Sequence, residues 1–192
     1  MREFTREDVN PMGWEEFESL VVALASKITS YFGNGEGKIN VISPLLRTGG
    51  IVGGMLAVKM RVIPMLPVQF KYSYRPTLTK QIFSVPELLG DLPDPMSVLL
   101  CEGNTSTGNA AVKAAEVIKA KYPQAKIYLA TLTKVYGGPE RLEGVEHIFY
   151  GTLTYEKFKA SEEERHRLGI RRGITLFPWE NIDDELADIN ST

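Results

Sequence analysis

The chain has 192 residues, 43% of them hydrophobic and 24% charged, with 22 Lys and Arg against 24 Asp and Glu for a formal net charge of -2. At about 150 residues per domain this is a single domain, and a near-neutral charge offers no global attraction to nucleic acid or anionic membranes, so any phosphate site has to be local. One cysteine, Cys101, excludes an intramolecular disulfide framework and a Cys-based zinc site, and the two histidines, His147 and His166, are too few for most metal-rich sites.

The opening segment, MREFTREDVNPMGWEE, lacks the basic-then-apolar pattern of a secretory signal. No stretch approaches the ~18 consecutive apolar residues of a membrane span. These features predict a soluble cytoplasmic protein that engages neither membrane nor nucleic acid.

In chain order, Trp14, Phe17, Leu20, Val21, Leu24, Ile28 and Tyr31 fall at three- and four-residue spacings and predict an amphipathic helix that ends at the glycine-rich run Gly33 to Gly37. Ile39 to Ile42 reads as a strand, Val52 to Met60 as a short helix and Val68 to Tyr72 as a second strand. Ser73 to Pro95 carries Pro76, Pro86, Pro93 and Pro95 and only a brief apolar run, which predicts a long excursion with a short helical turn. Loops of that length in a compact domain are commonly functional lids. Ser97 to Cys101 is a third strand, apolar without interruption, as expected where both faces are covered. Ala110 to Tyr122 is an Ala-rich helix, Lys126 to Leu132 a fourth strand, and Ile148 to Tyr150 and Ile174 to Phe177 weaker strand candidates. The alternation predicts an α/β fold, a central and mostly parallel sheet with helices on both faces. The mixed-sign run Glu162 to Arg167 reads as a solvated helix face or loop, and the acidic end beyond Trp179 as a terminal helix.

The most informative segment is Ser97 to Ala111. A strand ending at Glu102 leads through Thr105, Ser106, Thr107, Gly108 and Asn109 into a helix. Three hydroxyls, a glycine and the unpaired N–H groups of a helix start form an anion cradle at the carboxyl end of a strand in a parallel sheet, where ligands bind in such folds. The same residues are also good helix caps.

Four apolar residues, an acidic residue and a Thr-Ser-Thr-Gly loop resemble the phosphoribosyl pyrophosphate (PRPP) motif of the type I phosphoribosyltransferases. The order of the other motifs is similar to that of the bacterial xanthine–guanine and hypoxanthine enzymes. The resemblance implies one domain over residues 1–192, with a core of about 14–150, a mobile loop of about 73–95, and a small hood formed by 151–192 and part of the amino terminus. It implies that Glu102 faces the ribose and holds Mg²⁺, mainly through PRPP, and that Thr105, Ser106, Thr107, Gly108 and Asn109 hold the 5-phosphate. Arg47, Thr48 and Gly49, with Lys71, would receive the pyrophosphate; by residue type alone, Gly49, Gly50, Gly53 and Gly54 also suit tight strand-to-helix packing. Ser73 and Tyr74 would begin the loop that closes over PRPP. Lys134 would donate to the exocyclic 6-oxygen of a purine, and Phe177-Pro178-Trp179-Glu180 resembles a Pro-Trp-acidic signature near the base, with Ile174 where the family often has a stacking aromatic.

The implied reaction transfers the phosphoribosyl group from PRPP to a purine-type base of the xanthine, guanine and hypoxanthine class, releasing pyrophosphate. Relatives are commonly dimers, so a homodimer is expected as well. Arg165, Arg167, Arg171 and Arg172 form a dense basic cluster suited to a dimer contact or to shielding the site. Two positions depart from the family. Gly103 replaces the second acid of the ribose-binding pair, and Ser106 replaces the aspartate that removes a proton from the purine. A positioned base contributes about 10²- to 10⁴-fold. The departures leave open an enzyme for an acidic base such as xanthine, one that recruits Glu180 or a lid carboxylate, a phosphoribosyltransferase-like enzyme with another reaction such as phosphorolysis of a nucleotide, and a catalytically impaired regulatory or sensor protein that binds PRPP or a nucleotide.

Overall fold

The structure, a computed structural model, describes residues 3–33, 38–62, 64–74, 77–155 and 160–190, and leaves the side chains of residues 72–79 and 188 outside the description. After a 3₁₀ turn at Arg6–Asp8, the elements in chain order are β1 (Val9–Pro11), α1 (Trp14–Phe32), β2 (Val41–Leu46), α2 (Thr48–Met60), β3 (Val68–Tyr74), β4 (Thr77–Gln81), β5 (Ser97–Thr105), α3 (Asn109–Lys121), β6 (Lys126–Val135), β7 (His147–Tyr155), α4 (Glu162–Leu168), β8 (Arg171–Arg172), β9 (Ile174–Leu176) and α5 (Ile182–Asn190). The main sheet has seven strands in the order β4-β3-β2-β5-β6-β7-β8. Every neighbouring pair is parallel except β3 with β4. This is the predicted architecture.

Helices cover both faces because the central strands are apolar on both. Along β5, Leu99 and Cys101 join the core layer under α1 and α2, while Val98 and Leu100 join the layer under α3. In α1, Phe17, Val21, Leu24, Ala25 and Ile28 are buried at three- and four-residue steps, as the amphipathic pattern requires. Helix α3 presents alanines, Ala111, Ala114 and Ala115, with Ile118, to the other layer.

Strand β2 runs later than its apolar pattern suggested, over Val41–Leu46 rather than Ile39 to Ile42, and it contains Pro44. Its ladder with β5 covers Val41 to Pro44, and its ladder with β3 starts at Leu45. Pro44, which has no N–H to give, therefore sits at the changeover between the two ladders. Strand β5 also passes its expected end at Glu102, continuing to Thr105 because β6 continues beside it; the pairs are Glu102 with Thr131, Asn104 with Thr133 and Thr105 with Lys134.

Two regions differ from expectation. The segment expected to be an excursion with a helical turn instead begins with β4, antiparallel to β3, so that Phe70 to Tyr74 pair with Gln81 to Thr77. Strand β9 occupies the expected Ile174 region, yet it pairs with β1 in a separate two-stranded sheet and not with the main one. Arg171, whose side chain is 11% exposed, ties this small sheet down. Its guanidinium pairs with Glu16 and donates to the carbonyl oxygens of Pro11 at 2.8 Å and Asn10 at 3.4 Å.

Candidate functional site

The carboxyl ends of β2, β5 and β6 lie side by side because the three strands are adjacent and parallel. Three turns emerge there: Leu46 to Thr48 entering α2, Thr105 to Asn109 entering α3, and the connection that follows Val135. Arg47, exposed, is the residue before α2, and the Leu46–Arg47 peptide bond is cis.

Helix α2 approaches the sheet closely. A side chain on Gly49 would collide with the Cys101 carbonyl oxygen, and a Cβ on Gly53 would lie 3.1 Å from Pro44 Cβ and 3.3 Å from Cys101 Cβ. Gly49 is therefore fixed by backbone-to-backbone packing, which brings Thr48 against β5. Gly54, in contrast, has open space around it.

The turn from Thr105 to Asn109 joins β5 to α3 where it was expected. Thr105 is buried, Ser106 is half-buried, Thr107 is exposed, and Gly108 takes a left-handed conformation with φ 73° before α3 begins at Asn109. The connection after β6 braces this turn from beneath. A Cβ on Gly138 would lie 2.8 Å from the Ser106 carbonyl oxygen, and a side chain on Gly108 would collide with Leu142. Positive φ and this close contact together select glycine at 108.

Glu102 points from β5 beside the cradle, half-buried. Burial pushes its carboxyl up to about 7, although the Thr105 hydroxyl, donating at 2.6 Å, pulls the other way. Gly103 turns toward α2, where a side chain would collide with the Thr48 methyl group and lie 3.1 Å from the Phe177 ring. Its carbonyl oxygen lies 3.2 Å from the Thr131 hydroxyl and 3.3 Å from that of Thr133, each oriented to donate.

Phe177 and Thr48 lead to Glu180. The Phe177 backbone N–H donates to Glu180 Oε2 at 2.8 Å, and the Thr48 hydroxyl donates to the same carboxylate. Burial again dominates and, aided by Glu185, raises this carboxyl to about 7 against those two donors. The segment after β9 thus touches both α2 and β5 at the strand ends.

Lys134 is the register partner of Thr105 and is almost fully buried. Its ammonium donates to Glu140 Oε1 at 2.9 Å and lies 5.8 Å from the centre of the Tyr150 ring.

No family model and no curated protein sequence matches the chain. Solved structures do. A purine phosphoribosyltransferase from Pyrococcus horikoshii superposes with a TM-score of 0.65 at 21% identity, over 91% of this chain and 95% of that one. The xanthine-guanine-hypoxanthine phosphoribosyltransferase of Helicobacter pylori gives 0.60 at 15%, over 96% and 99%. A Neisseria gonorrhoeae protein with bound ppGpp gives 0.60 at 15%, over 96% of each chain. The fold is that of the type I phosphoribosyltransferases.

Within that phosphoribosyltransferase fold, the residues singled out by sequence fall into two groups. Arg47, Thr48, Gly49, Glu102, Thr105 to Asn109 and Lys134 converge on adjacent strand ends, with Glu180 reaching Thr48 from the carboxy-terminal segment. Lys71 is exposed on β3, and the side chains of Ser73 and Tyr74 lie outside those described. Ile174, 5% exposed, is a core residue of β9 and is paired with Val9. Trp179 stacks on Phe177, with ring centres 5.1 Å apart and planes 3° from parallel, and meets Phe17 edge-on at 5.0 Å. In this structure Trp179 anchors the last segment to α1, the packing role that an aromatic at that position suggests. Sequence alone did not single out Glu140 or Tyr150, because nothing in the local pattern indicates that a residue six positions after Lys134 and another on the neighbouring strand both meet its ammonium.

Among the described residues, no group of three or more His, Cys, Asp and Glu is arranged to hold a metal ion, and no helix is long and apolar enough to cross a membrane. A hard cation at this site would take one protein carboxylate, Glu102, with its remaining oxygens coming from a phosphorylated ligand. That is a common donor set for Mg²⁺.

Proposed function

We propose that the chain transfers the 5-phosphoribosyl group of PRPP to a purine-type base of the xanthine, guanine and hypoxanthine class, releasing pyrophosphate. The observation that carries this reading is the register of Thr105 against Lys134. It sets the Thr105 turn and a buried lysine on neighbouring strand ends, so that a phosphate held at the turn and a base held at the lysine would belong to one ligand. In this reading the cradle holds the 5-phosphate through hydroxyls and helix-start N–H groups, Glu102 faces the ribose, and Arg47 with the start of α2 meets the pyrophosphate. Mg²⁺, when bound, neutralises charge on the leaving pyrophosphate, and Glu102 is the residue that would contact it. Lys71, Ser73 and Tyr74 would approach PRPP from β3 and exclude water, which would otherwise consume it. A cytoplasmic setting and a homodimer belong to the same reading.

A second reading, binding of PRPP or a nucleotide without turnover, is favoured by one observation. The space for a second ribose-facing carboxylate at position 103 is filled by Thr48 and Phe177. One experiment separates the two: purified protein, Mg²⁺ and PRPP with xanthine, guanine, hypoxanthine, adenine or orotate, followed by pyrophosphate release. Release with a 6-oxopurine is the expected result. Thermal stabilisation by PRPP or a nucleoside monophosphate without release supports the binding protein, and neither signal rules out both.

A further inference from the structure

Lys134 is the one buried lysine among the described residues, and its Nζ is held by Glu140 at 2.9 Å and by the Gly138 carbonyl oxygen at 3.4 Å. The pair is asymmetric. The lysine side chain is 3% exposed and that of Glu140 is 83% exposed, so the carboxylate reaches in from an open surface. Residues 136–140 carry it there, and the same segment runs so close to Ser106 that a Cβ on Gly138 would lie 2.8 Å from the Ser106 carbonyl oxygen. A positive donor and a negative acceptor therefore stand less than 3 Å apart, held by the segment whose Gly138 packs against Ser106.

That pair complements one edge of a 6-oxopurine. The exocyclic oxygen and N7 lie side by side on that edge, and when N7 carries the proton the edge offers an acceptor next to a donor. Resting on the reading above, we propose that Glu140 is a catalytic residue, the group that takes the purine N7 proton while Lys134 donates to the 6-oxygen. In this step the N9 lone pair forms a bond to C1 of the ribose as the C1–O bond to pyrophosphate breaks, and pyrophosphate leaves with that bonding pair. The N7 proton passes to the Glu140 carboxylate, the N–H electrons return to the ring, and the base of the nucleotide is neutral. The carboxyl group then yields its proton to water. Before the base arrives, the ion pair holds both groups in place, and the arriving edge sets its 6-oxygen against Lys134 and its N7 against Glu140.

The test measures kcat and KM for xanthine and hypoxanthine in the wild-type chain and in Glu140→Gln, Glu140→Asp and Ser106→Asp/Glu140→Gln. Removing a general base costs on the order of 10²- to 10⁴-fold. Glu140→Gln is expected to lower kcat with hypoxanthine by at least about 100-fold, with KM for PRPP changed less than about twofold. The loss should be smaller with xanthine, which gives up its proton more readily. Glu140→Asp should fall between, and the added aspartate of the double variant should recover at least about tenfold. Glu140→Gln turnover equal to wild type, or an equal loss with both bases and no recovery in the double variant, overturns the assignment while leaving the transferase reading intact. A wild-type chain that releases no pyrophosphate with any base overturns both. Glu140→Asp retains the counterion of Lys134, so it decides the case if the glutamine variant fails to fold.

Discussion

The methyl group of Thr48 stands where a side chain on Gly103 would have to go. Thr48 is held from behind by its hydroxyl, which donates to Glu180, and the second wall of the same space is the Phe177 ring, 3.1 Å from an added Cβ. Position 103 therefore does not offer an empty place for a second acid. The close approach of α2 to β5 has taken that space.

The first prediction follows from this contact. Gly103→Ala should destabilise the protein by about 1–3 kcal/mol, the usual range for overpacking, and Gly103→Asp should raise no activity. Thr48→Ser removes the methyl and keeps the hydroxyl, so the Gly103→Ala/Thr48→Ser double variant should regain part of the loss. Urea unfolding of the four proteins in a double-mutant cycle checks it, with a coupling of about 0.5–3 kcal/mol expected for residues in contact. Additive effects would mean that Thr48 does not wall off the position.

The glycines of α2 give a second contrast. Gly49 is packed on the Cys101 carbonyl oxygen, whereas Gly54 faces open space. Gly49→Ala has no flexible neighbour to displace and should cost at least about 3 kcal/mol, at or above the top of the overpacking range. Gly54→Ala should be neutral or stabilise by up to about 1 kcal/mol, through helix propensity and a less flexible unfolded chain. Denaturant midpoints of the two variants measure the difference, and equal midpoints would refute it.

Glu102 and Glu180 yield a prediction about pH. Burial raises each from 4.5 to about 7. A carboxyl whose folded value is raised binds its proton more tightly in the folded state, so its contribution to stability is full below pH 4.5 and is lost as pH rises through about 7. Stability should therefore fall between pH 5 and pH 7.5 in the ligand-free protein, and Glu102→Gln should flatten that slope. Chemical denaturation at several pH values tests this; a slope unchanged in Glu102→Gln would show that Glu102 is already ionised at pH 5.

Much of the architecture was legible because the apolar runs were long. Ser97 to Cys101, Lys126 to Leu132 and the stripe from Trp14 to Tyr31 are patterns that burial on a two-sided sheet or along one helix face demands, and each became the expected element. Strand β4 was not legible, since Thr77-Leu78-Thr79-Lys80-Gln81 has one apolar residue and lies on an edge, where pairing with β3 defines the strand without an apolar alternation. Strand β1 is three residues long, shorter than any periodicity can declare, and it exists by pairing in parallel with β9, whose strand character was expected at Ile174 to Phe177 but whose partner was not.

The candidate site divides in the same way. The turn from Thr105 to Asn109 is contiguous, so glycine, hydroxyls and a helix start mark it as a candidate anion site within a few residues of chain. Thr48 against Gly103 and Glu180 on Thr48 are contacts across elements, over 55 and 132 positions of the 192-residue numbering, and Glu140 meets Lys134 from the connection that leaves the same strand. Such pairs depend on how closely α2 lies on the sheet and where the connection after β6 returns, distances that local pattern does not encode. The amino-acid order thus specifies which residue types stand at each strand end, and packing specifies which of them meet.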